Sequence, residues 1–219
     1  MNIILLAPPA AGKGTEAQIL TNEYSIPQIS TGDLLREASN KEDELSKKIK
    51  DIMEHGSLVS DDIIIELIRK RINEKDCING YILDGFPRTI NQAEKYDEML
   101  EEINNKIDYV FALDIDKELA ASRISGRRTC PNCNRIYNVN SDNLKPMHDN
   151  LCDDCGVELK HRKDDNAETY ENRYNAYLEQ TAPLIEYYEK KNILYHIDSN
   201  VDKNNTHKQI KEIIIKGAL

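Results

Sequence analysis

The sequence predicts an α/β fold with a parallel central sheet, and three observations support that prediction. Short apolar runs alternate along the chain with longer stretches in which apolar residues recur about every 3.6 positions. The runs are continuously apolar, which is typical of strands buried on both faces of a parallel sheet. The first run ends in a short loop that leads into a helical pattern, as in a βα unit. A chain of 219 residues is long enough for one such core carrying small insertions.

The strand candidates start with the first residues of the chain. They are "MNIILLA" at 1–7, the weaker "SIPQIS" at 25–30, "GYILDGF" at 80–86, "IDYVFALDI" at 107–115 and "NILYHID" at 192–198. Helical patterns lie between them, at residues 14–24, 61–75, 89–104, 117–126, 166–191 and 203–217. Ser60 is a candidate N-cap for the helix that follows it, and Pro183 is expected to kink or split the longest helix.

Two stretches interrupt the alternation of strands and helices. Residues 31–59 contain two short helical patterns without a strand between them, which predicts a small helical insertion. Residues 127–163 are polar, rich in turn residues and carry four cysteines. We interpret this second stretch as an insertion with its own local fold.

Composition excludes some classes of partner. The net charge of -10 argues against broad contact with nucleic acid or an anionic membrane, because both favour a basic face. No apolar run approaches the roughly 20 residues needed to span a bilayer. The first run is too short for a cleaved signal and lacks a basic segment before it. We therefore expect a cytoplasmic protein, and a monomer, since nothing in the sequence demands a protein partner.

The loop after the first strand, "APPAAGKGT", resembles an incomplete phosphate-binding motif. The full pattern is Gly, four residues, Gly, Lys, then Ser or Thr; here Ala7 replaces the first glycine and Gly14 follows Lys13. The backbone N–H groups and the positive end of a helix dipole would meet there, together with the charge of Lys13 and the hydroxyl of Thr15. An ordinary strand-to-helix turn is the alternative, and the position after the first buried strand favours a phosphate loop.

The alanines of this loop allow a conformational prediction. Alanine is unfavourable at positive φ, whereas glycine is not. If the loop is functional, Ala7 and Ala10 are therefore expected at negative φ. Gly12 and Gly14 would take any unusual conformation.

A second motif, "ILDGFPRT", places a carboxylate at the end of a buried strand. In a parallel sheet Asp84 would then lie at the carboxyl edge, where it could hold Mg²⁺ through water. Gly85 would allow another group to approach closely, and Pro87 would stiffen the turn that presents Arg88. A simple helix or turn cap is the alternative role for Asp84, and the arginine four residues later weakens it.

Several arginines fall beside turns and element ends around the two insertions. A guanidinium group can bind phosphoryl oxygens in a bidentate manner, which suits phosphoryl transfer. A single arginine is more often a solvated surface charge, so the set has meaning only together with the loop and Asp84. The set is Arg36, Arg88, Arg123, Arg127, Arg128, Arg162 and Arg173.

Four of the five cysteines form two Cys-x-x-Cys pairs separated by 18 residues. The pairs are Cys130 with Cys133 and Cys152 with Cys155, and this spacing is typical of a four-cysteine zinc site. Four ligands leave no open position, so one structural zinc ion per chain is expected. Disulfides are the weaker alternative in a cytosolic protein. Cys77 is expected to be a small buried or partly buried apolar residue.

These motifs together resemble one enzyme family. "GKGT", "STGDLLR", "LDGFPRT" followed by Gln92, "GRR", "HRKDD" and a later Arg173 occur in the order and spacing of adenylate kinases, and the chain is similar to the long bacterial type with a zinc-bearing lid. The resemblance covers essentially the whole chain. It implies a P-loop nucleoside monophosphate kinase fold, with five parallel strands flanked by helices. It also implies Mg-dependent, reversible, in-line transfer of the terminal phosphoryl of ATP to AMP in a closed arginine-rich site, giving two ADP.

The resemblance further implies domains and residue roles. Residues 1–29, 60–125 and 164–219 would form the core, residues 30–59 the NMP-binding domain and residues 126–163 the lid. The catalytic set would be Lys13, Asp84, Arg88, Arg127, Arg162 and Arg173. ATP would be bound by Ala10, Ala11, Gly12, Lys13, Gly14, Thr15, Arg123, Arg127, Ile136, Tyr137 and Val201. AMP would be bound by Thr31, Arg36, Ser57, Leu58, Val59, Gly85, Phe86, Pro87, Arg88, Gln92, Arg162 and Arg173. Asp164 and Asp165 would hold the lid.

Two other functions compete with this one. A UMP/CMP kinase or a GTP:AMP phosphotransferase would share most of these motifs. A nucleic-acid-binding zinc module attached to an NTPase would instead place basic and aromatic residues around the cysteines. Residues 141–155 carry mainly acidic side chains, which argues against this second alternative. The acidic residues are Asp142, Asp149, Asp153 and Asp154, and Lys145 is the basic residue among them.

Overall fold

The computed structural model describes residues 1–40, 44, 46–47, 49, 59–141, 143–161 and 165–217, without the side chains of Asp33 and Arg36. In chain order its elements are β1 (Asn2–Leu6), α1 (Lys13–Tyr24), β2 (Gln28–Ser30), α2 (Thr31–Ser39), α3 (Asp61–Ile72), a 3₁₀ turn (Lys75–Cys77), β3 (Tyr81–Asp84), α4 (Ile90–Glu102), β4 (Tyr109–Asp114), α5 (Lys117–Gly126), β5 (Arg127–Thr129), β6 (Ile136–Asn138), α6 (Ala167–Ala176), a π-turn (Tyr177–Thr181), α7 (Pro183–Lys190), β7 (Leu194–Asp198) and α8 (Lys203–Gly217).

The five predicted strands form one parallel sheet, which confirms the α/β fold. The strand order is β2-β3-β1-β4-β7. In the register of β1 against β3, Leu5 lies opposite Asp84, and Ser30 of β2 lies on the other side of the same residue. All five residues of β1 are buried, as expected for a strand covered on both faces.

By its contacts the chain divides into two compact units. The first unit comprises Met1–Leu6, Leu20–Phe111 and Gln180–Tyr195, and the second comprises Ala7–Ile19, Ala112–Glu179 and His196–Leu219. This division does not test the three predicted domains, which remain a prediction.

The first unit contains a large apolar core. Ile4, Leu83 and Phe86 pack there with residues of α3, α4 and α7. Within this core the hydroxyls of Tyr81 and Tyr96 lie 2.7 Å apart, and burial raises the pKa of both phenols. Each hydroxyl is thus the hydrogen-bond partner of the other at a place that water does not reach.

Two helices of the first unit differ in how they begin. Ser60 occupies the N-cap position of α3, but its side chain makes no capping hydrogen bond, so the predicted cap is right in position only. Thr89 caps α4 by accepting a hydrogen bond from the Gln92 backbone N–H at 3.2 Å. The start of α4 is therefore fixed by a side chain.

The predicted long helix at 166–191 is split, as the proline indicated. Helix α6 ends at Ala176, a π-turn follows at Tyr177–Thr181, and Pro183 begins α7. Proline has no N–H to continue the helical ladder, but it is well tolerated in the first helical turn.

The second unit contains a small module built around the cysteines. We call it the cysteine module, residues 127–160 with residue 142 outside the description. Strands β5 and β6 pair antiparallel, with Arg128 opposite Tyr137. Cys130, Tyr137, Cys152 and Leu159 form its buried centre.

Some predicted features lie outside the described residues. Helix α2 confirms a helical start for the predicted insertion at 31–59, but residues 50–58 are not described. Cys77 is 5% exposed, which confirms it as a buried residue. In the part of the chain that is described, no helix combines the length and apolar character needed to cross a membrane.

Candidate functional site

The phosphate loop joins β1 to the first turn of α1. The helix begins at Lys13, and the Glu16 N–H donates to the Gly12 carbonyl at 3.0 Å. Ser199, which is 3% exposed, donates its hydroxyl to the Ala11 carbonyl at 2.7 Å. Both residues belong to the second unit, and this buried contact fixes the loop within it. The first N–H groups of α1 therefore stand at a held position, as an anion site requires.

The conformation of the loop corrects one prediction. Ala10 has a φ of 65°, in the left-handed region, so the expectation of negative φ there is wrong, while Ala7 is at negative φ as expected. Gly12 takes a φ of 96° as expected, and Gly14 is an ordinary helical residue. Left-handed alanine costs about 1–2 kcal/mol.

The packing around Ala10 explains why this cost is tolerated. Its methyl group packs against a cluster that contains Ala120, Ile124 and Tyr170. Apolar burial therefore offsets backbone strain in the folded protein. The prediction from sequence considered only the φ preference of alanine, so it missed the stabilising contacts of the methyl group.

Three predicted ATP-site residues lie in one region of the second unit. Arg123 donates to the Asn200 carbonyl at 3.4 Å, directly before Val201, which is 64% exposed. Burial lowers the pKa of the Arg123 guanidinium. Ile136 approaches the phosphate loop so closely that a methyl group on Gly14 would lie 3.0 Å from its Cδ1 atom. The cysteine module thus covers the first turn of α1.

The predicted lid aspartate holds an arginine. Arg127 binds the Asp165 carboxylate through two donors, with Nε to Oδ2 at 2.8 Å and a second contact from Nη2 to Oδ1. Asp165 is 3% exposed, so this ion pair is largely shielded from water. Arg128 donates to the Arg127 carbonyl at 2.8 Å, and Arg173 is exposed on α6.

A separate group of predicted residues surrounds Gly85 in the first unit. We call it the Gly85 cradle, formed by Thr31, Gly85, Arg88 and Gln92. Gly85 has a φ of 80°, and its carbonyl accepts from Thr31 Oγ1 at 3.2 Å and from Arg88 Nε at 2.9 Å. The Arg88 N–H donates to Gln92 Oε1 at 2.8 Å. The motif "DGFPRT" thus folds back on itself, which places its polar groups close together.

The carboxylate of Asp84 precedes the cradle. It is half-buried at the end of β3, and its Oδ2 atom accepts from Gln28 Nε2 at 2.7 Å. A hard carboxylate oxygen at this place suits a magnesium ion bound through water. Phe86 points into the core, where its ring meets Tyr96 edge to face. Pro87 follows Phe86 through a cis peptide bond.

Some predicted site residues cannot be placed. Ser57, Leu58, Arg162 and Asp164 lie outside the described residues, and so does the side chain of Arg36. Val59 is buried beside Ala38 and Ile49, so its side chain packs in a small apolar cluster of the first unit.

The four predicted cysteines come together. Their Sγ atoms all lie within 4.8 Å of one another, so the cluster could bind a metal ion. A tetrahedral zinc ion with Zn–S distances of about 2.3 Å spaces its sulfurs about 3.8 Å apart. Cys133 Sγ and Cys152 Sγ are 3.6 Å apart, so the donor set fits that ion.

Each cysteine pair forms a matching turn. We call residues 130–134 the first knuckle and residues 152–156 the second knuckle. The Asn134 N–H donates to the Cys130 carbonyl at 3.1 Å, and the Gly156 N–H donates to the Cys152 carbonyl at 2.8 Å. Asn134 and Gly156 both have positive φ, at 59° and 66°. Asparagine tolerates this region better than other side chains do.

Polar side chains connect the two knuckles around the sulfurs. Arg135 Nη1 lies 2.7 Å from both Asp154 oxygens, and its Nη2 lies 3.4 Å from Asp153. Tyr137 donates its hydroxyl to Cys152 Sγ at 3.4 Å, and this bond lowers the pKa of the Cys152 thiol to about 6. In the same cluster, burial raises the pKa of the Cys133 thiol to about 12, so the thiolate form is favoured at Cys152 and not at Cys133.

Sequence reasoning missed three residues that hold the site. Gln28 orients Asp84, and Ser199 fixes the phosphate loop. Asp61 accepts from Gln92 Nε2 at 2.8 Å and from Asn91 Nδ2 at 2.6 Å. All three act over long sequence separations, which no local motif reports.

Comparison with known proteins gives a consistent result. A family model described as adenylate kinase matches residues 5–193. The adenylate kinase of Archaeoglobus fulgidus is 49% identical over 216 residues, 99% of each chain. That of Thermotoga petrophila is 46% identical over 97% of this chain and 96% of its own. That of Clostridium tetani is 44% identical over 219 residues, all of both chains.

Proposed function

Because the chain belongs to the adenylate kinase family, we propose that its phosphate loop binds ATP and its Gly85 cradle binds AMP. The protein is a nucleoside monophosphate kinase that transfers the terminal phosphoryl of ATP to AMP reversibly, giving two ADP. The observation that carries this function is the 49% identity to a named adenylate kinase over 99% of both chains.

The ATP phosphates bind at the start of α1. Backbone N–H groups of residues 10–15 and the positive helix terminus supply donors there, and Lys13 adds a full charge toward the transferred group. The contact from Ser199 to the Ala11 carbonyl supports this loop. Arg123 lies against the adenine, and Ile136, Tyr137 and the backbone at Val201 complete the ATP site.

AMP binds at the Gly85 cradle. Thr31 Oγ1 and Arg88 Nε both donate to the Gly85 carbonyl, so these donors are close enough to share one phosphate. Gln92 reads the base edge, and the carboxylate of Asp61 holds its amide in place. Arg36 and residues 57–59 contribute from the NMP-binding insertion.

Transfer proceeds in line, from the terminal phosphoryl of ATP to a phosphate oxygen of AMP. The chain has no covalent chemistry to perform, so its residues position the substrates and stabilise charge on the moving group. Arg88, Arg127, Arg162 and Arg173 supply that positive charge. Asp165 holds Arg127 until substrate competes for its guanidinium, which couples closure of the site to binding.

Magnesium and zinc have different roles. Asp84, held by Gln28, would hold a magnesium ion through water, and the ion would neutralise phosphate charge. Zinc is the metal of the cysteine cluster, one ion per chain. Its four thiolate ligands leave no site for substrate, so this metal stabilises the module and takes no part in the chemistry.

A cytoplasmic monomer that binds no nucleic acid or membrane fits these features. All five cysteines are free of disulfides, which agrees with a reducing compartment. The net charge of -10 disfavours polyanionic partners.

A coupled assay of ADP formation tests the function. Purified protein with MgATP should convert AMP much faster than CMP or UMP, and ATP should be a better donor than GTP. Metal analysis of the same sample should find one zinc ion per chain. A clear preference for a pyrimidine acceptor, or for GTP as donor, would replace the proposed substrate.

A further inference from the structure

The first knuckle of the cysteine module makes a direct hydrogen bond to α1. Gln18, half-buried on the second turn of that helix, donates its Nε2 to the Asn134 backbone carbonyl at 3.0 Å. The two residues lie 116 positions apart, and both belong to the second unit. Neither has a role in the binding or transfer steps described above.

A second contact joins the same two elements. Ile136, two residues after Asn134, packs against Gly14 so closely that an added methyl group would lie 3.0 Å from its Cδ1 atom. The knuckle and the strand after it therefore meet α1 at two places, one turn apart. One contact is polar and directional, and the other is apolar.

The geometry of the first knuckle directs the Asn134 carbonyl toward α1. Asn134 has a φ of 59°, and its N–H is bonded to the Cys130 carbonyl at 3.1 Å. The turn is closed by the same cysteines that form the metal cluster. A metal ion that fixes the two sulfurs of this turn would also fix the direction of the carbonyl.

We propose that Gln18 is a positioning residue for ATP: its hydrogen bond to the Asn134 carbonyl holds the cysteine module closed over the phosphate loop. The cysteine cluster is not itself part of the ATP site, but its first knuckle carries the carbonyl that accepts this hydrogen bond. This inference rests on the proposed function, since it assigns ATP to the phosphate loop.

The test compares kinetics of variants at Gln18. Gln18→Met keeps the length of the side chain and removes the donor, and Gln18→Ala removes both. Because an exposed hydrogen bond contributes modestly, each should raise KM for ATP about threefold. KM for AMP should stay unchanged and kcat should not fall, since an opened module loses ATP affinity without losing a reacting group. Asn22→Ala, an exposed amide one turn further along α1, is the matched control and should leave both KM values unchanged.

A binding measurement separates positioning from a merely structural role. Calorimetric titration with a non-hydrolysable ATP analogue should show the same weakening in both Gln18 variants, at unchanged metal content and melting temperature. If KM for ATP is unchanged in both variants, or if KM for AMP rises equally, the proposal is wrong. Wild-type protein that forms no ADP from ATP and AMP would instead refute the proposed function.

Discussion

The Gly85 cradle and the cysteine module obtain their order from different sources. Among the described residues, 18 buried side chains form the core beneath the cradle, whereas 4 form the centre of the module. Two of those four are themselves cysteines of the cluster. The cradle lies on a large apolar core, whereas four side chains are too few to order the module, so we propose that a metal ion bound by its cysteines provides that order.

The largest expected effect is the loss of one cysteine of the cluster. Cys152→Ser should abolish metal binding and unfold the cysteine module, because three thiolates hold zinc poorly and the four-residue centre cannot replace it. Metal content per chain and near-ultraviolet circular dichroism measure the outcome. Cys77→Ser is the control: that buried cysteine lies outside the cluster, so the variant should keep its metal. If Cys152→Ser retained one metal ion per chain, the proposed dependence of the cysteine module on four thiolate ligands would be wrong.

The next largest effect concerns the chemistry of the cradle. Arg88→Ala should lower kcat by about 100-fold, in the range seen when one charge-stabilising donor is lost from an active site. Because the Arg88 side chain is exposed and its backbone contacts remain, the melting temperature should hardly change. Arg69→Ala, which removes a partly exposed arginine paired with Glu102, should leave kcat unchanged. An equal loss in both variants would point to a general charge effect.

A defect in the apolar core of the first unit should lower the free energy of unfolding without changing the metal site of the cysteine module. Tyr96→Phe removes one partner of the buried hydroxyl pair and leaves the Tyr81 hydroxyl unsatisfied. The free energy of unfolding should fall by about 1–2 kcal/mol, measured by urea denaturation. Metal affinity should stay unchanged. The double variant with Tyr81→Phe should recover part of the loss, since no polar group is then left without a partner.

A smaller effect is expected at Asp61, whose role the sequence did not reveal. Asp61→Ala frees the amide of Gln92, so KM for AMP should rise about threefold while KM for ATP stays constant. The neighbouring Asp62→Ala loses only an exposed ion pair with Lys95 and should behave as wild type. Equal effects at both positions would mean that the charge at the start of α3 matters, and not the contact with Gln92.

The smallest effect is expected in the phosphate loop. Ala10→Gly relieves left-handed backbone strain of about 1–2 kcal/mol, but it also adds freedom to the unfolded chain and removes the methyl packing, so the free energy of unfolding should hardly change. Ala7→Gly, at negative φ, relieves no strain and should lower the free energy of unfolding by about 0.5–1 kcal/mol, because glycine adds freedom to the unfolded chain. Thermal denaturation of both variants measures the difference, and destabilisation by Ala10→Gly would show that its methyl packing outweighs the strain.

The sequence predicted most of the fold because its signals are local. Apolar runs, Pro183 and the two cysteine pairs each determine structure within a few residues, and all were found as expected. The contacts of Gln28, Asp61 and Ser199 join residues that lie 31 to 188 positions apart, as in Gln92 to Asp61 and Ser199 to Ala11. Ala10 shows the same limit, since its strain is offset by tertiary packing that φ preferences cannot report.

Hydrogen exchange with and without the metal shows whether the cysteine module depends on a metal while the Gly85 cradle does not. Wild-type protein is treated with a chelator until metal analysis shows complete removal, and amide exchange is then followed by mass spectrometry. Exchange should become faster across residues 127–160, with β1, β3 and the Gly85 cradle as protected as before. Unchanged exchange in the cysteine module, or an equal loss of protection in both regions, would show that the metal does not order the module separately.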